Sequence, residues 1–156
     1  MRLDFVSEVN HILALLVRFQ QEIALMLKPS NFKVNEAWIA FKLNDAPVYT
    51  KADGDFNVIA LMDAASCFIL STEFVHANSA EPSKLESKRL LKGGQSHKQC
   101  FPKKLFIPAD QAAGILSIEA EQNGIAVVRV PEQELVVFIG EARQGFQEHV
   151  SGARVQ

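Results

Sequence analysis

"KLFIPADQAAGILSIEAEQNGIAVVRV", residues 104–130, decides the fold. Residues 104–107 make a short apolar run closed by Pro108, which predicts a strand. Residues 110–123 have helical spacing and end in Asn123-Gly124, a frequent carboxy-terminal cap. "IAVVRV", 125–130, is apolar enough for a strand buried on both faces. Strand, helix and strand in that order make one parallel α/β unit. Asp110 stands where the first strand gives way to the helix. An acid there is either a metal-binding carboxylate or the cap of the helix behind it. Capping is the simpler reading, since an Asp side chain accepts a free amide and its charge suits the helix dipole.

Upstream of this unit lie three stretches with strand character. "NEAWIAFKL", 35–43, alternates Ala37, Ile39, Phe41 and Leu43 with other residues. "FNVIALMD", 56–63, and "CFILSTEFV", 67–75, are separated only by "DAAS", which fits a hairpin, with Asp63 as a turn former. Between the first two, "NDAPVYTKADGD" holds Pro and Asp-Gly turn signals and a short extended piece around Val48 and Tyr49. "SAEPSKLESKRLLKGG" then predicts a helix with Pro82 near its start and Gly93 just past its end, followed by a loop through "QSHKQCFPK". Pro131 opens a last amphipathic helix along Leu135, Phe138, Ile139, Ala142, Phe146 and Val150. Gly140 and Gly145 weaken it.

Residues 3–27 carry a different pattern. Phe5, Val9, Ile12, Leu16, Phe19, Ile23 and Met26 recur at alternating steps of four and three, a helical seam stopped by Pro29. Leu13, Leu15, Val17, Leu25 and Leu27 lie off the seam, so more than one side needs cover. The helix either crosses its own domain or pairs with the same helix of a second chain; a homodimer is the expectation. Residues 1–30 thus form an amino-terminal helix, 31–150 one α/β domain, and 151–156 a frayed tail.

Composition bounds the function classes. Hydrophobic residues at 48% and charged residues at 22% are ordinary for a globular chain. Eleven Phe against one Trp and one Tyr predict a phenylalanine-rich core. The net charge of −2 gives no global attraction to polyanions. It hides a polarity, however. Residues 84–104 hold seven basic residues against Glu86 alone, a net of +6, which leaves −8 for the rest. The run reads first as a solvated face and second as an anion- or partner-binding patch built on Lys88, Arg89, Lys92, Lys103 and Lys104. Lys88 and Lys92 share a helix face. The amino terminus lacks the charge order of a signal peptide and an uninterrupted span of bilayer length. With only two cysteines, a cytoplasmic protein without a disulfide framework and without a membrane partner is expected. His97 and Cys100 in "HKQC" have half-zinc-site spacing, but Cys67 and His76 would have to complete it from a distant strand, so no metal is assigned. No Gly-x-Ser-x-Gly elbow or phosphate loop occurs, and Gly93-Gly94 reads as a helix stop. Trp38, Tyr49 and the phenylalanines could stack bases, but Phe at strand spacing reads as core.

The element order after the first helix, β-β-β-α-β-α-β-α, resembles the ribonuclease H-like fold of integrase and transposase catalytic cores across residues 35–150. "WIAF" resembles their first strand, "VIALMDAASCFILSTEF" their second and third, "PKKLFIPADQA" the strand bearing their second catalytic Asp, and "NGIAVVRVP" the apolar strand after it. The resemblance implies a mixed sheet with helices on its faces and a site of two or three carboxylates around divalent metal ions. It would put Asp110 at the second position and Glu141 or Glu148 at the third. At the first position "WIAF" has Phe41, and no carboxylate lies within two residues of it. One ligand of three does not hold a hard cation against hydration. The chain therefore looks like a catalytically retired member, similar to uncharacterised bacterial proteins with a degenerate integrase-like core. That implies a non-enzymatic binding or interaction domain, with a nucleic acid or protein partner at the basic 84–104 segment. The alternative is a metal-dependent phosphodiester-cleaving nuclease using Mg²⁺ on the relocated acids Asp110, Asp63 and Glu141. A regulatory subunit without a ligand is a third reading.

Overall fold

The computed structural model describes the backbone of residues 2–155 and the side chains of residues 5–19, 21 and 27–151. Helix α1 (Arg2–Met26) ends before a short 3₁₀ turn, Pro29–Asn31, and six strands and three further helices follow. Strands β1 (Ala37–Lys42), β2 (Val48–Thr50), β3 (Gly54–Asp63) and β4 (Ile69–His76) precede α2 (Lys84–Lys98). Then come β5 (Lys104–Pro108), α3 (Gly114–Gln122), β6 (Ala126–Val130) and α4 (Glu132–Val155). The last helix continues past Val150, where the apolar periodicity stops.

The sheet runs β4-β3-β1-β5-β6. β3 is antiparallel to both β1 and β4, whereas β5 is parallel to β1 and β6 parallel to β5. β2 pairs with the far end of β3, on the edge that β1 also uses. Asn44 makes that shared edge possible. Buried where β1 ends, it accepts the Val58 amide at 2.7 Å and donates to the Ala46 carbonyl at 2.8 Å, replacing the ladder bonds lost at the bend.

β1 is buried on both faces, as a central strand must be. Trp38 and Ala40 point into a core formed with Leu61, Leu90, Leu91, Leu105, Leu116 and Ile125, so α2 and α3 cover that side. Ile39 and Phe41 point into a second core with Met62, Phe106, Leu135, Phe138 and Ile139 under α4. The architecture is therefore α/β/α with a mixed sheet. The cores are mainly aliphatic. Only Phe41, Phe106 and Phe138 of the eleven phenylalanines are buried, and Phe5, Phe19, Phe68 and Phe74 are more than half exposed. Phe32 and Phe101 are half-buried and pack against the cores, so phenylalanine is divided between interior and surface and the core is less phenylalanine-rich than the composition suggests.

Two helix boundaries also differ from the sequence reading. Ser83 opens α2 with a reciprocal capping box to Glu86, but the helix passes through Gly93 and Gly94 and stops at Gln99, whose φ is +70°. The glycines serve packing: a Cβ on Gly94 would lie 2.7 Å from Leu61 Cδ2 and 2.9 Å from Trp38 Cη2. α3 begins at Gly114, four residues after Asp110, and its N-cap residue Ala113 offers no side-chain bond. The cap comes from elsewhere in the chain. Glu81, before α2, accepts the Ile115 amide with Oε1 at 2.7 Å. Asp110 does not cap α3, because residues 111–113 separate it from the free amides.

Candidate functional site

The parallel strands β1 and β5 end side by side, and the chain leaves each in a different direction. In open α/β sheets such a divergence beyond the carboxyl ends leaves a crevice. Here it is a cleft of about 360 Å³, walled by the 42–45 bend, the 79–82 segment, the 110–112 loop and α4. Asp110 lines it, exposed and in a turn, and no hydrogen bond engages its carboxylate among the described residues. Its loop is held by two neighbours that the sequence did not reveal. Arg129 donates to the carbonyls of Pro108 at 3.0 Å, Ala109 at 3.3 Å and Gln111. Gln111 accepts the Lys42 amide at 2.9 Å, extending the β1–β5 contact beyond the last ladder pair.

Arg143 is among the residues that line this cleft. Arg143 of α4 donates through Nε to the Lys42 carbonyl at 3.0 Å and through Nη2 to Glu132 Oε1 at 2.6 Å. Its guanidinium carbon lies 5.8 Å from the centre of the Phe41 ring. Phe41 is wholly buried in the α4 core, so no oxygen ligand stands at this point of β1. Glu132, the first residue of α4, shares the cleft with Asp110 and is the acid that the last helix brings there. The spacing-based candidates on that helix differ. Glu148 is exposed and accepts from Gln144 at 3.2 Å, and exposed Glu141 bears on Cys67 instead.

Asp63 stands at the opposite end of the sheet. It pairs with Trp38 at the start of β1, whereas Asp110 lies beyond the end of β5, which runs parallel to β1. The two are separated by about 15 Å along the strands. Asp63 is fully buried and fully used. Oδ1 accepts the Asn35 amide at 2.7 Å; Oδ2 accepts the Ser66 amide at 3.0 Å and the Ser66 hydroxyl at 2.7 Å. These bonds close the β3–β4 turn and hold Asn35 at a φ of +65°. Asn35 in turn accepts the Trp38 indole N–H at 2.7 Å, so one buried carboxylate organises the entry to β1. Next to it, the Cys67 thiol is held above its ordinary pKa by burial, and further by the charges of Glu141 and Asp63.

The half-zinc motif is not assembled. His97 stacks on Phe68, with ring centres 5.1 Å apart, and Cys100 Sγ accepts from Asn35 Nδ2 at 2.9 Å. Among the described residues, no group of three or more His, Cys, Asp or Glu side chains is placed to hold a metal ion. Four acids line the cleft, Asp45, Glu81, Asp110 and Glu132; Glu81 is engaged by the Ile115 amide and Glu132 by Arg143.

The basic segment divides. Lys88 and Lys92 line one groove between α2 and α3, together with Gln95 and Phe101. Arg89 turns away to Glu73 of β4, with its Nε 2.9 Å from Oε1. Lys103 and Lys104, both exposed, lie at the start of β5, just beyond the carboxyl end of α2. No helix among the described residues is long and apolar enough to cross a membrane. No protein-family model matches this chain, and no curated protein does.

Proposed function

We propose that the chain is a non-catalytic binding domain on a ribonuclease H-like fold, and that its ligand is a nucleic acid held at the basic groove between α2 and α3. The strand order β4-β3-β1-β5-β6, with one parallel half and one antiparallel half, supports the fold assignment. The observation that carries the non-catalytic reading is the Phe41–Arg143–Glu132 arrangement at the carboxyl end of β1. A fixed guanidinium there repels a divalent cation and neutralises an acid that could have bound one. Binding is supported by Lys88 and Lys92, unpaired among the described residues, beside Phe101, since cations next to an aromatic ring suit phosphate and base contacts; the one carboxylate of the groove, Glu119, is buried.

Fluorescence anisotropy of labelled single- and double-stranded oligonucleotides tests this. Raising salt from about 50 to about 200 mM should weaken binding on the order of 10²-fold, as expected for about four phosphate contacts. The double variant Lys88→Ala/Lys92→Ala should lower the salt slope by about two units. Absence of binding at low salt overturns the assignment.

A second reading, metal-dependent phosphodiester cleavage, draws on Asp110 and Glu132 sharing one cleft. The same protein incubated with Mg²⁺ or Mn²⁺ and either substrate should leave the strands intact. Cleavage that disappears in Asp110→Asn would replace the binding reading with this one.

A further inference from the structure

The described side chains of helix α1, residues 5–19 and 21, are all exposed. Phe5 is 70% exposed, Ile12 55%, Leu16 54% and Phe19 60%, and Val6, Leu13, Leu15 and Val17 are similarly open. Just past the helix, Leu27 is buried in the α4 core, against which Phe32 also packs. Of the two covers that the apolar pattern demanded, the chain's own domain is therefore eliminated over the described part. Ile23 and Met26, which continue the seam, lie outside the described side chains.

We infer that α1 pairs with α1 of a second copy of this chain. Two observations select that occupant. With Val9 and Leu16 at heptad position a and Phe5, Ile12 and Phe19 at d, the seam is self-complementary, since each helix supplies both knobs and holes. The nine exposed apolar side chains between Phe5 and Phe19 present on the order of 800 Å² per copy, one side of a standard interface. A patch of that size exceeds what a monomer leaves open. Leu13 and Leu15, at e and g, broaden the seam on both sides.

This inference does not depend on the nucleic-acid reading, and its test leaves that reading untouched. Light scattering of the full chain should give twice the chain mass, falling to one chain mass in Leu16→Glu, whose site is exposed and leaves both cores intact. Oxidation of Val9→Cys, alone or mixed with Phe19→Cys, should link the two copies through the seam, with the bridged peptide identified by mass spectrometry. A monomeric wild type overturns the pairing. A dimer that links in neither case overturns the assignment of the seam. Wild type that floats with anionic phospholipid vesicles as single chains replaces the second copy by a membrane surface.

Discussion

Replacing Gly94 by valine is expected to destabilise the protein by about 3 kcal/mol, the upper part of the range for overpacking a closed core. Gly94 is the contact between α2 and the sheet. The space where its Cβ would stand is already occupied by the Trp38 ring and the Leu61 methyl, and neither belongs to a flexible surface chain. Both are fully buried, so α2 must move outward or the indole must rotate and lose its bond to Asn35. Gly94→Ala separates the opposing terms. Helix propensity favours alanine by about 1 kcal/mol, yet the steric cost exceeds this, leaving a net loss of about 1 kcal/mol. Gly140 of α4 is the internal control. A Cβ there meets Val136 Cγ1 at 3.6 Å, an ordinary contact, so Gly140→Ala should stabilise by about 0.5 kcal/mol. Thermal unfolding of the three variants checks the set. For a chain of this length the valine variant should melt about 6 to 12 °C lower. An unchanged midpoint for Gly94→Val would show that α2 does not pack this closely.

The second large effect belongs to Asp63. Asp63→Ala removes three hydrogen bonds to a charged acceptor and leaves the Asn35 and Ser66 amides without their partner, a loss of about 3 kcal/mol. It also releases Asn35, whose left-handed backbone costs about 1 kcal/mol and persists only because the surroundings hold it. Asn35 is the acceptor for Trp38, so the damage reaches the core beneath α2. Asp63→Asn keeps the shape and at least one acceptor, and should cost about half as much. Urea unfolding of both variants, with a common slope, measures the difference. If Asp63 acted on substrate rather than on structure, both variants would unfold with the wild-type midpoint.

Asp63 also shows how a residue can be located correctly by sequence and yet be understood only in three dimensions. Its turn-forming role with Ser66 follows from local chemistry, because the two are three residues apart. Its bond to Asn35 spans 28 positions, and no pattern in the chain announces it. The cleft followed the same division. Asp110 was legible as the acid after a strand. Glu132, Arg143, Arg129 and Gln111 were not, since each reads as an ordinary polar residue until the strands place it. Arg129 has one weak signal, as the single charge within the apolar run of β6. The Gly-Gly pair was misread for a related reason. Glycine stops a helix when the backbone must turn and continues one when another surface must come close, and the choice depends on what faces it.

What the sequence determined by itself is the set of elements and their order. Apolar periodicity separates strands of period two from helices of period 3.6, and that distinction needs no partner. The parallel unit at 104–130, the hairpin at Asp63 and the long apolar seam of α1 are all local facts of this kind. Only the tertiary structure decided which side chains meet. It took Asp110 away from the helix it was expected to cap, gave that task to Glu81, and set Arg143 over Phe41. It also left the described side chains of α1 uncovered by its own domain. Pairing between distant residues depends on strand register and helix docking, which burial of the whole core selects and no short stretch encodes.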